Sequence, residues 1–398
     1  MQDVELLAQN VTVLGESPEA PGVRPLTPFR CLLFKAFPLQ FTGAPHYADH
    51  YRAHQHLRPR ATHMASVLRL RSILVSAMHK FFDSEGFYYT NPPIITSSDA
   101  EGAGEAFNVT ATQDDFFGLG GLKVPKLTVS SQLHLEALMM GMGRVWTLSP
   151  TFRAEKSVTS RHLAEFWMLE AEWVIDDLDE LLNFVERMIR RLVAEAKKSG
   201  IVEELEKTMD GQDNTYPVDT LAPQWQEMET ASFARITYTD AIKILKPEHS
   251  RNPFNIPPME GAPLQVQHEQ FLAATLRKPI FITHYPAQIK PFYMLQSTKG
   301  KKELPLVENF DLVVPGTGEI AGGSLRIHDL RELELSMRRN NVDEGEMEWY
   351  KDLRKWGSVP HGGFGLGFDR LIAYLAGIKN LKEVVAFPRM FGRSGCVN

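Results

Sequence analysis

Apolar positions recur at helical spacing in two long stretches of the chain. Leu70, Ile73, Leu74, Ala77 and Phe81 share one face, and Gly86 supplies a stop. Leu181, Val185, Met188 and Leu192 share another, with Asp177 placed to cap its start and Gly200 to end it. Short runs of β-formers occupy residues 235–240 (RITYTD), 279–286 (PIFITHYP), 309–316 (NFDLVVPG) and 324–328 (SLRIH). Together they predict an antiparallel sheet with helices around it, an α+β fold. Residues 203–232 are polar without a clear period and read as an insertion. Residues 4–15 are again rich in β-formers and end at a turn, but one strand buries no face by itself. The many prolines of 17–45 predict an irregular linker, followed by a His- and Arg-rich segment at 46–60. No internal repeat is visible.

Composition narrows this little. A chain of 398 residues, 43% of them hydrophobic, buries a sizeable core as one large domain with an appendage. The net charge of −6 is not the global signature of a nucleic-acid binder, although a local basic face would suffice. Cys31 and Cys396 sit in no metal-like cluster, which fits a reducing compartment without a disulfide framework. No apolar run approaches membrane-spanning length, so no membrane partner is expected. The segment MQDVELLAQN is acidic and lacks the Arg-rich character of a transit peptide. His46, His50, His54 and His56 look like a metal cluster, but no Cys or carboxylate pattern completes one; a solvated linker helix is the plainer reading.

The chemistry concentrates in a few strings. FRAEKSVTSRHLAEFWMLEAE (152–172) carries two arginines among carboxylates and aromatics. PHGGFGLGFDRL (360–371) is a glycine run leading into an Asp-Arg pair, and GEIAGGSLRIH (318–328) lies between the two. Glycines bring backbone close to a ligand, and arginine holds phosphate in a planar, bidentate way. Such elements, far apart in sequence, suggest one polyphosphate site assembled from separate strands and helices. With GFYYTNPPI (86–94) upstream, the strings resemble, in order, motifs 1, 2 and 3 of the class II aminoacyl-tRNA synthetases. The subgroup is the aspartyl/asparaginyl/lysyl one, and the asparaginyl branch is most similar.

The resemblance implies a class II catalytic domain over 65–398, an antiparallel sheet flanked by helices, working as a homodimer through the first helix and motif 1. Residues 1–16 would be a remnant, the closing strand of an N-terminal OB-fold that reads the anticodon, whose other strands would precede it. Residues 17–64 would be linker and hinge, with HLRPR matching the hinge. The implied reaction is activation of L-asparagine by ATP with Mg²⁺ and transfer to the 3′ end of tRNA(Asn). By resemblance Arg153 bridges the α-phosphate and the amino-acid carboxylate, and Arg370 holds the γ-phosphate; these are the two catalytic arginines. Glu155, Arg161 and His162 lie near the adenine and outer phosphates, and Phe166 stacks on adenine. Asp311 and Glu319 hold the metal between phosphates, Glu319 also belonging to the ATP site. Glu101, with Glu105 as a less certain partner, and Gln132 approach the substrate ammonium. Residues 284–294 resemble the strand that places Lys290 and Tyr293 beside the site; Leu295 departs from the basic residue usual there.

Substrate choice follows from charge. The aspartyl enzymes grip a carboxylate with a lysine and an arginine. In SSQLHL the lysine position is Leu135, while Arg326 retains the arginine and Glu170 takes the place of an aspartate. An amide needs a donor facing its oxygen and an acceptor facing its nitrogen, which Arg326 and Glu170 supply. Glu170 also repels aspartate. Two alternatives stay open: a synthetase-derived enzyme that activates aspartate to make asparagine, and a catalytically silent tRNA-binding paralogue. The motif strings have a bacterial or organellar style and point to the mitochondrial matrix, with the cytoplasm as the alternative.

Overall fold

The computed structural model describes residues 10, 12, 55–97, 106–111, 116, 124–209, 221–300, 304–343, 345 and 347–392. The expected barrel strand at 4–15, apart from Asn10 and Thr12, lies outside the described residues. So do Glu101, Glu105, both cysteines, His46, His50 and His54.

The first predicted helix is α1 (Thr62–Ser84), with Leu70, Leu74, Ala77 and Phe81 buried and Gly86 in the left-handed region at φ +74°. Strands β1 (Tyr88–Tyr89), β2 (Ile95–Thr96) and β3 (Lys126–Leu127) are short, and helix α2 (Gln132–Met142) precedes the long hairpin β4 (Arg144–Phe152) and β5 (Glu165–Val174). The second predicted helix is α3 (Leu178–Lys197), whose N-cap Asp177 accepts from the Asp179 amide. Helices α4 (Ile201–Met209) and α5 (Leu221–Thr230) follow. Next come β6 (Ala234–Thr237), α6 (Tyr238–Arg251), α7 (Val266–Leu276) and β7 (Ile280–Thr283). The chain closes with β8 (Asn309–Val314), β9 (Gly318–Leu325), α8 (Leu330–Arg339), α9 (Glu348–Lys355), β10 (His361–Gly367) and α10 (Phe368–Leu375).

Eight strands form one sheet in the order β1-β4-β5-β10-β9-β8-β7-β6. Its centre is antiparallel as expected, but the two edge pairs, β1 with β4 and β6 with β7, are parallel. The run RITYTD explains one of these edges: its first half is strand, whereas Tyr238 already starts α6 with Thr237 as cap, so α6 and α7 form the crossover that brings β7 in parallel to β6. One face of the sheet carries the core. Phe82 of α1 stacks on Trp146 of β4 with ring centroids 4.5 Å apart, and Phe184 of α3 packs on Trp173 of β5.

Residues 203–232, expected as an insertion, hold most of α4 and all of α5, and Leu205, Leu221, Trp225 and Met228 are buried in the main core. In the string matched to the hinge, Arg58 is fully buried, donating to the Lys382 carbonyl at 2.5 Å and to Glu383 at 2.8 Å. His56 beside it is exposed, and α1 is under way by Thr62, before the expected linker end at 64.

Alternation along β5 aims Met168, Glu170 and Glu172 away from the core, while Leu169, Ala171 and Trp173 enter it. One register row across the sheet reads Glu170, Gly365, Gly322, Asp311 on β5, β10, β9 and β8. Two carboxylates thus stand at the ends of a floor made of bare backbone.

If α4 and α5 belong to the core, Trp225→Ala should cost about 3–5 kcal/mol, the range for emptying a buried Trp site. Its indole N–H also donates to the Leu375 carbonyl at 2.7 Å. Urea unfolding of the variant measures this; an unchanged midpoint would make the segment peripheral.

Candidate active site

Two adjoining pockets open on the polar face of the sheet. The first, with an empty volume of about 750 Å³, is lined by Arg153, Glu155, Arg161, His162, Phe166, Glu319 and Arg370 among others. The second, about 770 Å³, is lined by Gln132, Leu135, Glu170, Lys290, Asp311 and Arg326 among others. Arg153 and Glu319 line both. Every described residue expected at the site lines one pocket or the other; Asp311, expected on the metal between phosphates, lines only the second.

The first pocket is built by motif 2 and motif 3. Arg153 follows β4 directly, and its guanidinium lies 5.5 Å from the Phe166 ring on β5. Glu155 sits between Arg153, 4.0 Å away, and the His162 ring, whose Nε2 is 3.2 Å away. Burial lowers the His162 pKa, with Glu155 opposing it. Arg370 lies in the first turn of α10 and donates to the Glu319 carbonyl at 3.0 Å. Its neighbour Asp369 turns the other way: it accepts from Arg71 of α1 at 2.6 Å and from the Trp167 amide at 2.8 Å.

Carboxylates gather where the pockets meet. A Cβ placed on Gly322 would lie 3.5 Å from Asp311 Oδ1 and 3.6 Å from Glu319 Oε1, so both groups converge over that glycine. Lys290 Nζ holds Asp311 at 2.7 and 2.8 Å. Burial raises the Asp311 pKa, opposed by Lys290 and reinforced by Glu319. A third carboxylate, Glu269 of α7, escaped the sequence reading. It accepts from the Glu319 amide at 3.2 Å and lies 3.9 Å from Arg161. Burial, then the charge of Glu319, pushes its carboxyl up to about 7. A lone Glu in a helical first turn gives no sequence signal beyond capping.

The second pocket holds the residues expected to choose the substrate. Glu170 is buried and accepts from Ser130 Oγ at 2.5 Å and from the Ser131 amide at 2.9 Å. Leu135 is buried against Met139 and Val145 and still lines the pocket, so no side-chain charge comes from that position. Arg326 lies just past β9. Its Nε and Nη2 donate to Glu172 at 3.1 and 3.0 Å, its Nη1 to Ser324 Oγ at 2.6 Å, and the Tyr293 ring lies 5.2 Å away. Burial works against this cation, but Glu172 holds it firmly charged. Glu172 went unread in the sequence, although its place two residues after Glu170 on one strand put both on one face. Space for it is made by Gly363, where a Cβ would meet Glu172 Oε2 at 2.1 Å and the Ala171 carbonyl at 2.2 Å.

Comparison with known proteins decides the kinship. The family model for class II tRNA synthetases (D, K and N) matches residues 48–391. The chain belongs to this family of class II tRNA synthetases. Among its relatives in that family, an asparagine–tRNA ligase of Legionella pneumophila (strain Lens) is 38% identical over 411 residues, covering 99% of this chain and 81% of the relative. A mitochondrial asparagine–tRNA ligase of Saccharomyces cerevisiae is 42% identical over 355 residues, covering 85% of this chain and 70% of the relative. Of solved class II synthetases, the asparaginyl-tRNA synthetase of Pyrococcus horikoshii complexed with asparaginyl-adenylate superposes with a TM-score of 0.77 at 32% identity. That match covers 90% of this chain and 76% of the other.

Burial raises the Glu170 pKa, while its serine partners pull it down. A raised carboxyl is ionised at high pH and is the first to take a proton as pH falls. Protonated, it can donate as well as accept and no longer repels a carboxylate. The preference for asparagine over aspartate in pyrophosphate exchange should therefore narrow as the pH is lowered from about 8, and Glu170→Gln should flatten the profile. A wild-type preference independent of pH would place the selectivity elsewhere.

Proposed function

We propose that this protein is an asparagine–tRNA ligase, which activates L-asparagine with ATP and transfers it to tRNA(Asn) for translation. The observation that carries the choice of amino acid is the second pocket: Glu170 at one side, Arg326 at another, and Leu135 where the aspartyl enzymes have a lysine. The same pocket disfavours the aspartate-activating alternative, because it sets a buried carboxylate against the substrate's own. The intact Arg153 and Arg370 disfavour a silent paralogue.

In the first half-reaction the asparagine carboxylate attacks the α-phosphorus of ATP. A C–O–P bond forms, the bond to the β-phosphate breaks, and pyrophosphate leaves. Both reactants are anions, so positive charge held in place is what lowers the barrier. Arg153, shared by the two pockets, is assigned to the junction of carboxylate and α-phosphate. Phe166 is assigned to the adenine face, Arg370 to the γ-phosphate, and Glu155, Arg161 and His162 to the adenine edge and outer phosphates. Gln132 is assigned to the ammonium group; Glu101, outside the described residues, stays a proposal from resemblance. In the second half-reaction a ribose hydroxyl of the tRNA end attacks the adenylate carbonyl and AMP leaves.

Asp311 and Glu319 converge over Gly322 and would suit a Mg²⁺ shared with phosphate, provided Lys290, which now holds both Asp311 oxygens, yields one of them. Bound there, the ion would screen charge on the polyphosphate. We further propose a homodimer, supported by the exposed apolar strip of Tyr88, Tyr89, Ile94 and Ile95 around the edge strand β1. We propose a catalytic domain over 65–398, with 203–232 as its helical insertion. The mitochondrial matrix is favoured for its compartment by the yeast relative, the cytoplasm by the bacterial ones.

Pyrophosphate exchange should depend on asparagine and Mg²⁺ and far exceed the rate with aspartate; equal exchange with aspartate would sink the assignment. Arg153→Ala or Arg370→Ala should lower activation about a hundredfold or more, as removal of one preorganised charge contact does, in a protein that stays folded. Near-normal exchange in either variant would show that the nucleotide lies elsewhere.

A further inference from the structure

Behind the second pocket lies a buried charge cluster that the assigned roles leave unused. Glu136 on α2 is fully buried, and both of its oxygens are engaged. Oε2 faces the scaffold: Tyr350 Oη donates to it at 2.7 Å, Arg354 Nη2 at 2.7 Å, and His361 Nε2 lies 3.1 Å away. Oε1 is shared with Tyr350 Oη at 2.9 Å and also reaches toward the site: Gln132 Nε2 donates to it at 3.1 Å, and Arg326 Nε lies 3.9 Å away. Glu136, Glu172 and His361 lie close enough together to suggest a metal. Arg326 and Arg354 already occupy the carboxylates, however, and a third cation would meet two guanidinium groups. The cluster is therefore an ion-pair island.

We propose that Glu136 is a positioning residue that sets both ends of the amino-acid pocket, and that its charge maintains selectivity for the amide over the carboxylate. Two physical arguments support this. First, an ionised carboxylate only accepts. Burial opposes the charge on Glu136, but Arg354 and His361 outweigh it and hold the group below the usual carboxylate range. The amide NH₂ of Gln132 must then turn toward Glu136, which leaves the amide oxygen as the acceptor for a substrate ammonium. Second, Glu136 and Glu172 together balance Arg326 and Arg354. Leu135 removes a cation from the pocket wall, and the next residue places an anion beneath it. With Glu136 neutral, the island gains one positive charge and the pocket becomes kinder to aspartate.

The proposal rests on the asparagine-activating reading, and the test separates the two. Glu136→Gln is compared with wild type by pyrophosphate exchange with asparagine, aspartate and ATP each varied. KM for asparagine should rise about tenfold with KM for ATP nearly unchanged, and the asparagine-to-aspartate ratio of kcat/KM should fall about tenfold or more. A merely structural residue would lower the melting temperature and active fraction without moving that ratio. An unchanged ratio, or asparagine and ATP constants moving together, overturns the proposal. The double variant Glu136→Gln/Arg354→Met removes the uncompensated cation. It should recover most of the ratio while KM for asparagine stays high, since Gln132 has lost its ionised anchor. Should the single variant fail to fold, the double variant decides: an asparagine KM at the wild-type value refutes the role. Absence of asparagine-dependent exchange in the unaltered enzyme would remove the reaction and this proposal with it.

Discussion

Arg326 is a cation taken out of water, and much of the sheet is arranged to keep it charged. An isolated buried ion is too costly to persist; it must be paired and hydrogen-bonded. Glu172 accepts two parallel hydrogen bonds from it, reaching from β5 across the intervening β10, over a glycine that cannot be anything larger. Glu136 stands behind and is itself paired by Arg354. Breaking such a pair from one side typically costs about 3–5 kcal/mol, because the other charge stays buried. The pocket is therefore stiff, and stiffness suits a site that must tell an amide from a carboxylate of nearly the same shape.

The second constraint is the row Glu170, Gly365, Gly322, Asp311. Side chains at its two middle positions would fill the floor on which the reactants lie. Glycine there removes that obstacle without breaking the ladder, because the neighbouring strands keep the backbone paired. The site is in effect a trough across four strands, walled by charges and floored by peptide groups.

Much of this was legible beforehand. The long helices declared themselves by period, and the motif strings named Arg153, Arg370, Glu170 and Arg326, all of which line the two pockets. What escaped reading was set by tertiary contact. Glu136, Glu172 and Glu269 are single carboxylates in ordinary helical or strand contexts, and only the fold reveals what surrounds them. The helices of 203–232 went unread because, among the described residues, only four apolar side chains, Leu205, Leu221, Trp225 and Met228, carry the burial that a longer periodic run usually carries. The parallel edges of the sheet were likewise invisible in strands too short to show their direction.

Asp369 stands next to Arg370, and its neighbourhood gives it another part. It ties the amide of Trp167, on the strand that walls the nucleotide pocket, to Arg71 on the long first helix. That helix leads into the exposed apolar edge around Tyr88 and Tyr89. A local opening that freed the helix would have to break the carboxylate's bonds and release the pocket wall as well. The outer edge and the nucleotide pocket accordingly belong to one cooperative unit, opening together in hydrogen exchange rather than piece by piece.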